Sequence, residues 1–164
     1  MKTFTKKEFD ALPVVLGIKQ CPSGDYSQLN WFGDNCSFGE NGLFGEKCSF
    51  GRRCSFGGSC LFGGSCSFRR GCSFGENGSF GRGCSFSGKL AKTQNPFLKV
   101  SRIGSESRDT YFFDTIEGIF VECGCFYGTL AEFREQVAQT HSDSKHAKTY
   151  LLAAQLAEIQ FLRE

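Results

Sequence analysis

The strongest constraint in this sequence is an aromatic residue at every sixth position from residue 26 to residue 86. A small residue, usually Cys or Gly and once Asn30, lies two positions before each aromatic, and Gly usually follows it. The aromatic positions are Tyr26, Phe32, Phe38, Phe44, Phe50, Phe56, Phe62, Phe68, Phe74, Phe80 and Phe86. The unit reads Cys-Ser-Phe-Gly-x-x, and so regular a repeat predicts a stack of similar structural units.

Each repeat fits one short strand followed by a corner. Residues two apart on a strand point to the same side, so Cys and Phe face inward together while the Ser or Leu between them faces outward. Gly tolerates positive φ, and the polar residues at the remaining positions can stay solvated, so both suit corners. Burying one Phe contributes about 2 to 3 kcal/mol. An aromatic ladder can therefore hold together even a short solenoid.

Two interruptions of the pattern give the length of one coil. Gly replaces Cys at Gly42 and at Gly78, six repeats later, and the flanking text recurs at the same interval as CSFGENGLF and CSFGENGSF. A coil made of three repeats, or eighteen residues, explains both observations. The repeat cysteines are then expected to stack in columns, with Cys36, Cys54 and Cys72 in one and Cys48, Cys66 and Cys84 in another.

The pattern resembles the hexapeptide-repeat left-handed β-helix, in which a large apolar residue precedes Gly and follows a small residue by two positions. The resemblance implies a mainly β fold whose centre, residues 24–89, is a left-handed parallel β-helix with triangular coils of three repeats each. This chain has Phe where that family favours aliphatic residues. If three rings per layer do not fit beside Cys and Gly, we expect a wider coil.

The N-terminal flank, residues 1–23, predicts a cap over one open end of the solenoid. Thr5 and Glu8 have the spacing of a capping box, which predicts a short helix before Pro13. Val14-Val15-Leu16 with Ile18 predicts a buried strand.

The C-terminal flank, residues 90–164, lacks the six-residue period and predicts a small α+β unit ending in two helices. Thr129 and Glu132 form a second capping box, which opens a helix to about Thr140. The other helix is expected from Asp143 or Ser144 to Phe161 or Leu162. Short strands are predicted over residues 98–103, 110–114 and 119–123.

Composition restricts the functional classes. The net charge of +2 gives no whole-chain argument for nucleic acid. The N-terminus leads into no long apolar run, and no stretch approaches the roughly 20 apolar residues that a membrane span needs. We therefore expect a cytoplasmic protein whose thiols stay reduced and pack. Cys123-Gly124-Cys125 is the better candidate for redox or metal chemistry, although no other ligands accompany it.

The chain also resembles uncharacterised phage and prophage proteins that combine Cys-x-Phe-Gly repeats with a tail similar to Gly124 through Phe133. This resemblance implies a viral setting but no activity. Many hexapeptide-repeat proteins are acyltransferases with a general-base His in the coils, whereas His141 and His146 both lie in the tail. Two tail histidines are also too few for a hexapeptide-repeat carbonic anhydrase.

The predicted binding site is a basic edge. With a coil of three repeats, Arg52 stacks on Arg70, and Arg53, Arg69 and Lys89 fall near the same edge. Arg suits phosphate and carboxylate, so nucleotides, nucleic-acid backbones and acidic protein surfaces are chemically reasonable ligands of this edge, and the alternative is a solvated corner without a ligand. Nucleic acid is disfavoured as a partner because acidic residues reduce the positive electrostatic potential of the solenoid surface. These residues are Asp34, Glu40, Glu46 and Glu76.

These observations predict a non-enzymatic binding or scaffold protein, phage-encoded, that inhibits or sequesters a host protein or a small anionic ligand. No catalytic residue, metal site or cofactor is predicted. A structural virion component and a hexapeptide-repeat acyltransferase are the alternatives. Related β-helices often trimerise side by side, so we expect a homo-oligomer, with a trimer as one arrangement.

Overall fold

The computed structural model describes residues 1–94 and 96–161, and the chain divides into two compact units, Met1–Asn95 and Pro96–Glu164. The first unit is a parallel β-solenoid of about four turns. The second is an antiparallel sheet with two helices. Among the described residues, no helix is both long and apolar enough to cross a membrane.

Ten of the eleven repeats form a strand of two or three residues, and the first repeat, around Tyr26, forms isolated bridges at Asp25. The elements of this unit are α1 (Lys6–Asp10), β1 (Val14–Val15), β2 (Ile18–Cys21), β3 (Trp31–Phe32), β4 (Cys36–Phe38), β5 (Leu43–Phe44), β6 (Ser49–Phe50), β7 (Ser55–Phe56), β8 (Leu61–Phe62), β9 (Ser67–Phe68), β10 (Ser73–Phe74), β11 (Ser79–Phe80), β12 (Ser85–Phe86) and β13 (Lys89–Leu90). They build three sheets, in the orders β1-β2-β4-β7-β10, β11-β8-β5 and β13-β12-β9-β6-β3.

The register confirms the predicted coil. Ser37 pairs in parallel with Ser55, three repeats on, and Ser55 pairs in the same way with Ser73. Backbone hydrogen bonds continue this ladder through the corners, as between the Arg53 N–H and the Arg70 carbonyl at 3.1 Å. Each coil thus contributes one strand to each of three faces. The left-handed sense of the winding stays a prediction.

Three rings per layer do fit in the core. Along the solenoid, rings stack nearly parallel, with centroids 4.9 Å apart from Phe50 to Phe68, which is close to the spacing of neighbouring strands. Across a layer, rings meet edge to face, as Phe50 does with Phe56 at 4.9 Å and 89°. Both arrangements are favourable for aromatic quadrupoles. The large residue can therefore be Phe because each ring stacks in one direction and packs edge-on in the others.

The cysteines fill the space beside the rings and bond to the corners. The Cys66 thiol donates to the Gly63 carbonyl at 3.2 Å, and the Cys72 thiol donates to the Gly51 carbonyl at 3.3 Å. The pairing of Ser37 with Ser55 and of Ser55 with Ser73 places Cys36, Cys54 and Cys72 in register, which confirms the predicted column. Asn30 departs from the rule that the residue two positions before each aromatic faces inward, because Asn30 is exposed and the preceding Leu29 is buried.

The N-terminal segment continues the ring columns. Phe4 stacks on Tyr26 with centroids 4.7 Å apart, and Phe9 of α1 meets Phe32 edge to face at 5.3 Å. The capping box is confirmed, since Thr5 and Glu8 exchange both of its hydrogen bonds. These contacts cover the first layer of rings, which would otherwise face water.

The prediction of a buried strand over residues 14–18 was wrong. Val15 pairs with Ile18, so β1 and β2 form a hairpin with β1 at the edge of its sheet. Leu16, at the tip, has a φ of +50° and is 97% exposed. The apolar run is exposed because the tight turn carries these side chains away from the ring columns.

The second unit contains β14 (Phe97–Ile103), β15 (Arg108–Thr115), β16 (Gly118–Cys123), β17 (Phe126–Thr129), α2 (Leu130–His141) and α3 (Lys145–Phe161). The strands pair antiparallel in chain order. Phe112 and Val121 of the sheet share one core with Phe133 of α2 and Ala154 of α3. The three predicted strands, the second capping box and both helices are confirmed, whereas β17 was not predicted.

Candidate functional site

Four of the predicted site residues share one corner of the solenoid. This corner, the basic edge, joins the face of β3, β6, β9 and β12 to the face of β4, β7 and β10. It contains Arg52 and Arg53 in one coil and Arg69 and Arg70 in the next, and all four are exposed. The ladder places Arg70 one coil beyond Arg52, so the backbones of these two residues are in register.

The backbone explains how the corner holds long side chains outward. Arg53 has a φ of +56°, and the equivalent position one coil on is Gly71, with a φ of +79°. The Cγ atom of Arg53 lies over Gly71, 3.2 Å from where a Cβ would stand. Gly71 therefore leaves room for the stem of Arg53, whose charged end can stay in water.

Acidic groups lower the positive electrostatic potential around this edge. The Asp34 carboxylate accepts a hydrogen bond from the Arg52 backbone N–H at 2.7 Å, so one carboxylate lies at the N-terminal end of the edge. The neighbouring corner, after β4, β7 and β10, carries Glu40 and Glu76 two coils apart. Opposite charges thus lie on the two corners that border one face.

Lys89 lies in a hairpin after the last coil and not in a corner between two solenoid strands. It pairs with Phe86, because the chain reverses at Ser87 and Gly88 and returns as β13 along β12. Gly88 adopts a φ of +83°, which such a two-residue reversal requires. Lys89 therefore lies in a strand that pairs with the last strand of the solenoid, after the six-residue repeats have ended.

A second candidate site is a cavity of about 430 Å³ in the C-terminal unit. Phe126, Phe133 and Val137 supply apolar walls, while Cys123 and Cys125 also line it. Its size and mixture of apolar and polar groups are typical of small-molecule sites. The hairpin of β16 and β17 contributes the cysteines and Phe126, and α2 and α3 contribute the remaining lining residues.

Hydrogen bonds in this cavity converge on one thiol. The Thr110 hydroxyl donates to Cys123 Sγ at 3.1 Å, and the Cys123 thiol donates to the Tyr150 hydroxyl at 3.7 Å. Burial, and then the contact with Cys123, raises the pKa of Tyr150 to about 12. The phenol therefore stays protonated at neutral pH. The His141 ring lies 5.6 Å from the Tyr150 ring.

Sequence analysis identified the two cysteines but did not join them to Thr110, His141 and Tyr150. These residues come from different elements, and Tyr150 lies 27 residues beyond Cys123. His141 and His146 do approach each other, with ring centroids 6.1 Å apart. Within residues 1–94 and 96–161, no group of three or more His, Cys, Asp or Glu is arranged to hold a metal.

The chain matches no known protein-family model, no curated protein and no solved structure.

Proposed function

We propose that this chain is a non-enzymatic binding protein of phage origin that inhibits or sequesters a target in the cytoplasm of the infected bacterium. The single observation that carries the proposal is the basic edge, where four exposed arginines project from two successive coils. The phage origin rests on the sequence resemblance, as does the proposal that the solenoid is a left-handed hexapeptide-repeat helix. Side-by-side association of copies into a homo-oligomer belongs to the same proposal.

The partner of the basic edge is proposed to be anionic, either an acidic patch on a host protein or a small phosphate- or carboxylate-bearing ligand. Guanidinium groups bind such oxygens through paired hydrogen bonds. Arg52 and Arg70 lie in register one strand spacing apart, about 4.8 Å, so their forks can bind neighbouring oxygens of one ligand. The packed ring columns hold the strands beneath them, which reduces the cost of ordering the site on binding.

Charge reversal with a matched control tests this proposal. The test variant is Arg52→Glu with Arg70→Glu, and the control is Lys47→Glu with Arg82→Glu at a different corner, where both residues are exposed. Both variants change the net charge equally. We expect a target captured from host extract by the wild type to be retained by the control and lost by the test variant. Equal capture by all three proteins would refute a role for the basic edge.

A further inference from the structure

The cavity of the C-terminal unit contains a pair of thiols on one tight turn. Cys123 pairs with Phe126 across β16 and β17, so Gly124 and Cys125 form a two-residue loop. Gly124 has a φ of +59°, the conformation expected of Gly at the first central position of a type II′ turn. Two residues of chain span at most about 7 Å, and disulfides join Cα atoms about 4.4 to 6.8 Å apart. Because Gly124 is not extended, the Cα atoms of Cys123 and Cys125 lie closer than this limit, at a separation that a disulfide can span.

Both thiols face the same space but differ in access. Cys123 and Cys125 line the same cavity, with Cys125 exposed and Cys123 half-buried. A reagent entering from solvent therefore meets Cys125 first. Cys123 then lies behind it, within reach of any adduct that forms there.

The surroundings of Cys123 suit attack by its sulfur. Thr110 already donates a hydrogen bond to Sγ, and the buried Tyr150 hydroxyl, protonated at neutral pH, can rotate to donate another when the sulfur carries negative charge. The Arg108 Nη1 atom lies 3.2 Å from where a Cβ of Gly124 would stand, so a guanidinium group also borders the loop. Thiolate is the attacking species in disulfide exchange, and such donors and cations stabilise it.

The solenoid cysteines have the opposite environment. Cys54, for example, is fully buried, and its pKa is raised to about 12 by its hydrogen bond with Cys36, with burial contributing. The eight cysteines of the first unit are all buried and therefore inaccessible to a reagent in solution. They provide an internal reference for the reactivity of the loop.

We propose that Cys123 and Cys125 form a thiol–disulfide exchange site for small peptide disulfides of the glutathione class. The Cys125 thiolate attacks one sulfur of the ligand, the ligand S–S bond breaks, and the departing thiolate takes up the proton that Cys125 lost. The Cys123 thiolate then attacks the Cys125 sulfur, and the second ligand thiol leaves with the proton from Cys123. Two electrons pass from the protein to the ligand, giving one protein disulfide and two ligand thiols.

The cavity explains a preference for a peptide ligand. Phe126, Phe133 and Val137 offer apolar contact, and Gln136, Thr140 and His141 offer hydrogen bonds to amide or carboxylate groups. This site is separate from the basic edge and does not depend on the function proposed for it.

The test treats the reduced full-length protein with glutathione disulfide and follows intact mass and peptide maps over time. The wild type is expected to lose two hydrogen atoms, retain no glutathione and link Cys123 to Cys125. Cys123→Ser is expected to keep one glutathione on Cys125. Tyr150→Phe is expected to slow closure of the disulfide about tenfold, as the loss of one hydrogen bond to a charged group would, while Tyr127→Phe, outside the cavity, closes at the wild-type rate.

Three results would overturn the proposal. They are the absence of reaction in the wild type, a mixed disulfide on Cys125 that never closes, and modification of the solenoid cysteines as fast as the loop. Circular dichroism of each variant before oxidation establishes that it is folded. If Tyr150→Phe does not fold, the Cys123→Ser adduct and the wild-type peptide map still decide the outcome.

Discussion

Replacing Phe50 by Leu should destabilise the solenoid more than the same replacement at Phe4. Both rings are buried, 0% and 3% exposed. Phe50 stacks on Phe32 and Phe68 at 4.8 and 4.9 Å and meets Phe56 edge to face at 4.9 Å. Phe4, in the terminal layer, stacks on Tyr26 at 4.7 Å. The pair of variants therefore separates ring packing from burial.

The expected difference follows from these ring pairs. An aromatic pair is worth about 0.5 to 1.5 kcal/mol beyond its buried area, so Phe50→Leu should cost about 2 to 4 kcal/mol and Phe4→Leu about 1 kcal/mol. Urea unfolding measures both, and fluorescence of Trp31, the only Trp, reports on the solenoid itself. Equal losses of unfolding free energy would show that burial alone stabilises the core and would refute the argument from ring geometry.

Three further predictions concern the thiols, a helix cap and a corner. Cys36 and Cys54 have pKa values raised to about 12 from an ordinary 9.0, first by hydrogen bonds with the thiols of Cys21 and Cys36, respectively, and also by burial. The stability they contribute is full below pH 9.0 and lost towards pH 12. Between pH 9.0 and pH 12 the free energy of unfolding, measured with denaturant, should fall by up to about 1.4 kcal/mol per pH unit for each thiol. Cys54→Ser should make this dependence on pH less steep. An unchanged slope would contradict this. Thr129→Ala removes the cap of α2 and should cost about 0.5 to 2 kcal/mol in thermal unfolding, more than Thr140→Ala at the other end of the helix. Gly57→Ala places a Cβ 2.6 Å from the Glu40 backbone nitrogen and should cost about 1 to 3 kcal/mol, whereas Gly33→Ala, at the same repeat position, meets only Trp31 at 3.7 Å and should be near neutral.

The solenoid could be predicted from sequence because its period ties every residue to a position. The spacing of Gly42 and Gly78 predicts a coil of three repeats. That coil length in turn predicts which residues of successive coils are in register, including Arg70 with Arg52. The fit of the Phe rings could not be derived in the same way. It depends on ring orientation, which alternates between stacked and edge-on contacts that composition does not specify.

The errors arose where local pattern and tertiary context disagree. The apolar residues Val14 to Ile18 match a buried strand, but Leu16 and Gly17 form a turn with positive φ and leave the run exposed. The strand β17 was missed because it is short, contains Gly128 and leads directly into the capping box of α2. The cavity around Cys123 was missed because its polar groups are brought together only by the packing of α3 on the sheet.

Native mass spectrometry of the protein purified from its host, compared with the Arg52→Glu and Arg70→Glu double variant, tests the central claim most directly. It reports the number of copies and any bound passenger in one spectrum. We predict that the wild type is a homo-oligomer carrying an anionic ligand or a protein partner, and that the variant keeps the same number of copies but loses that passenger. A wild type without any passenger, or one whose passenger the variant retains, would contradict the claim that the basic edge is the binding site.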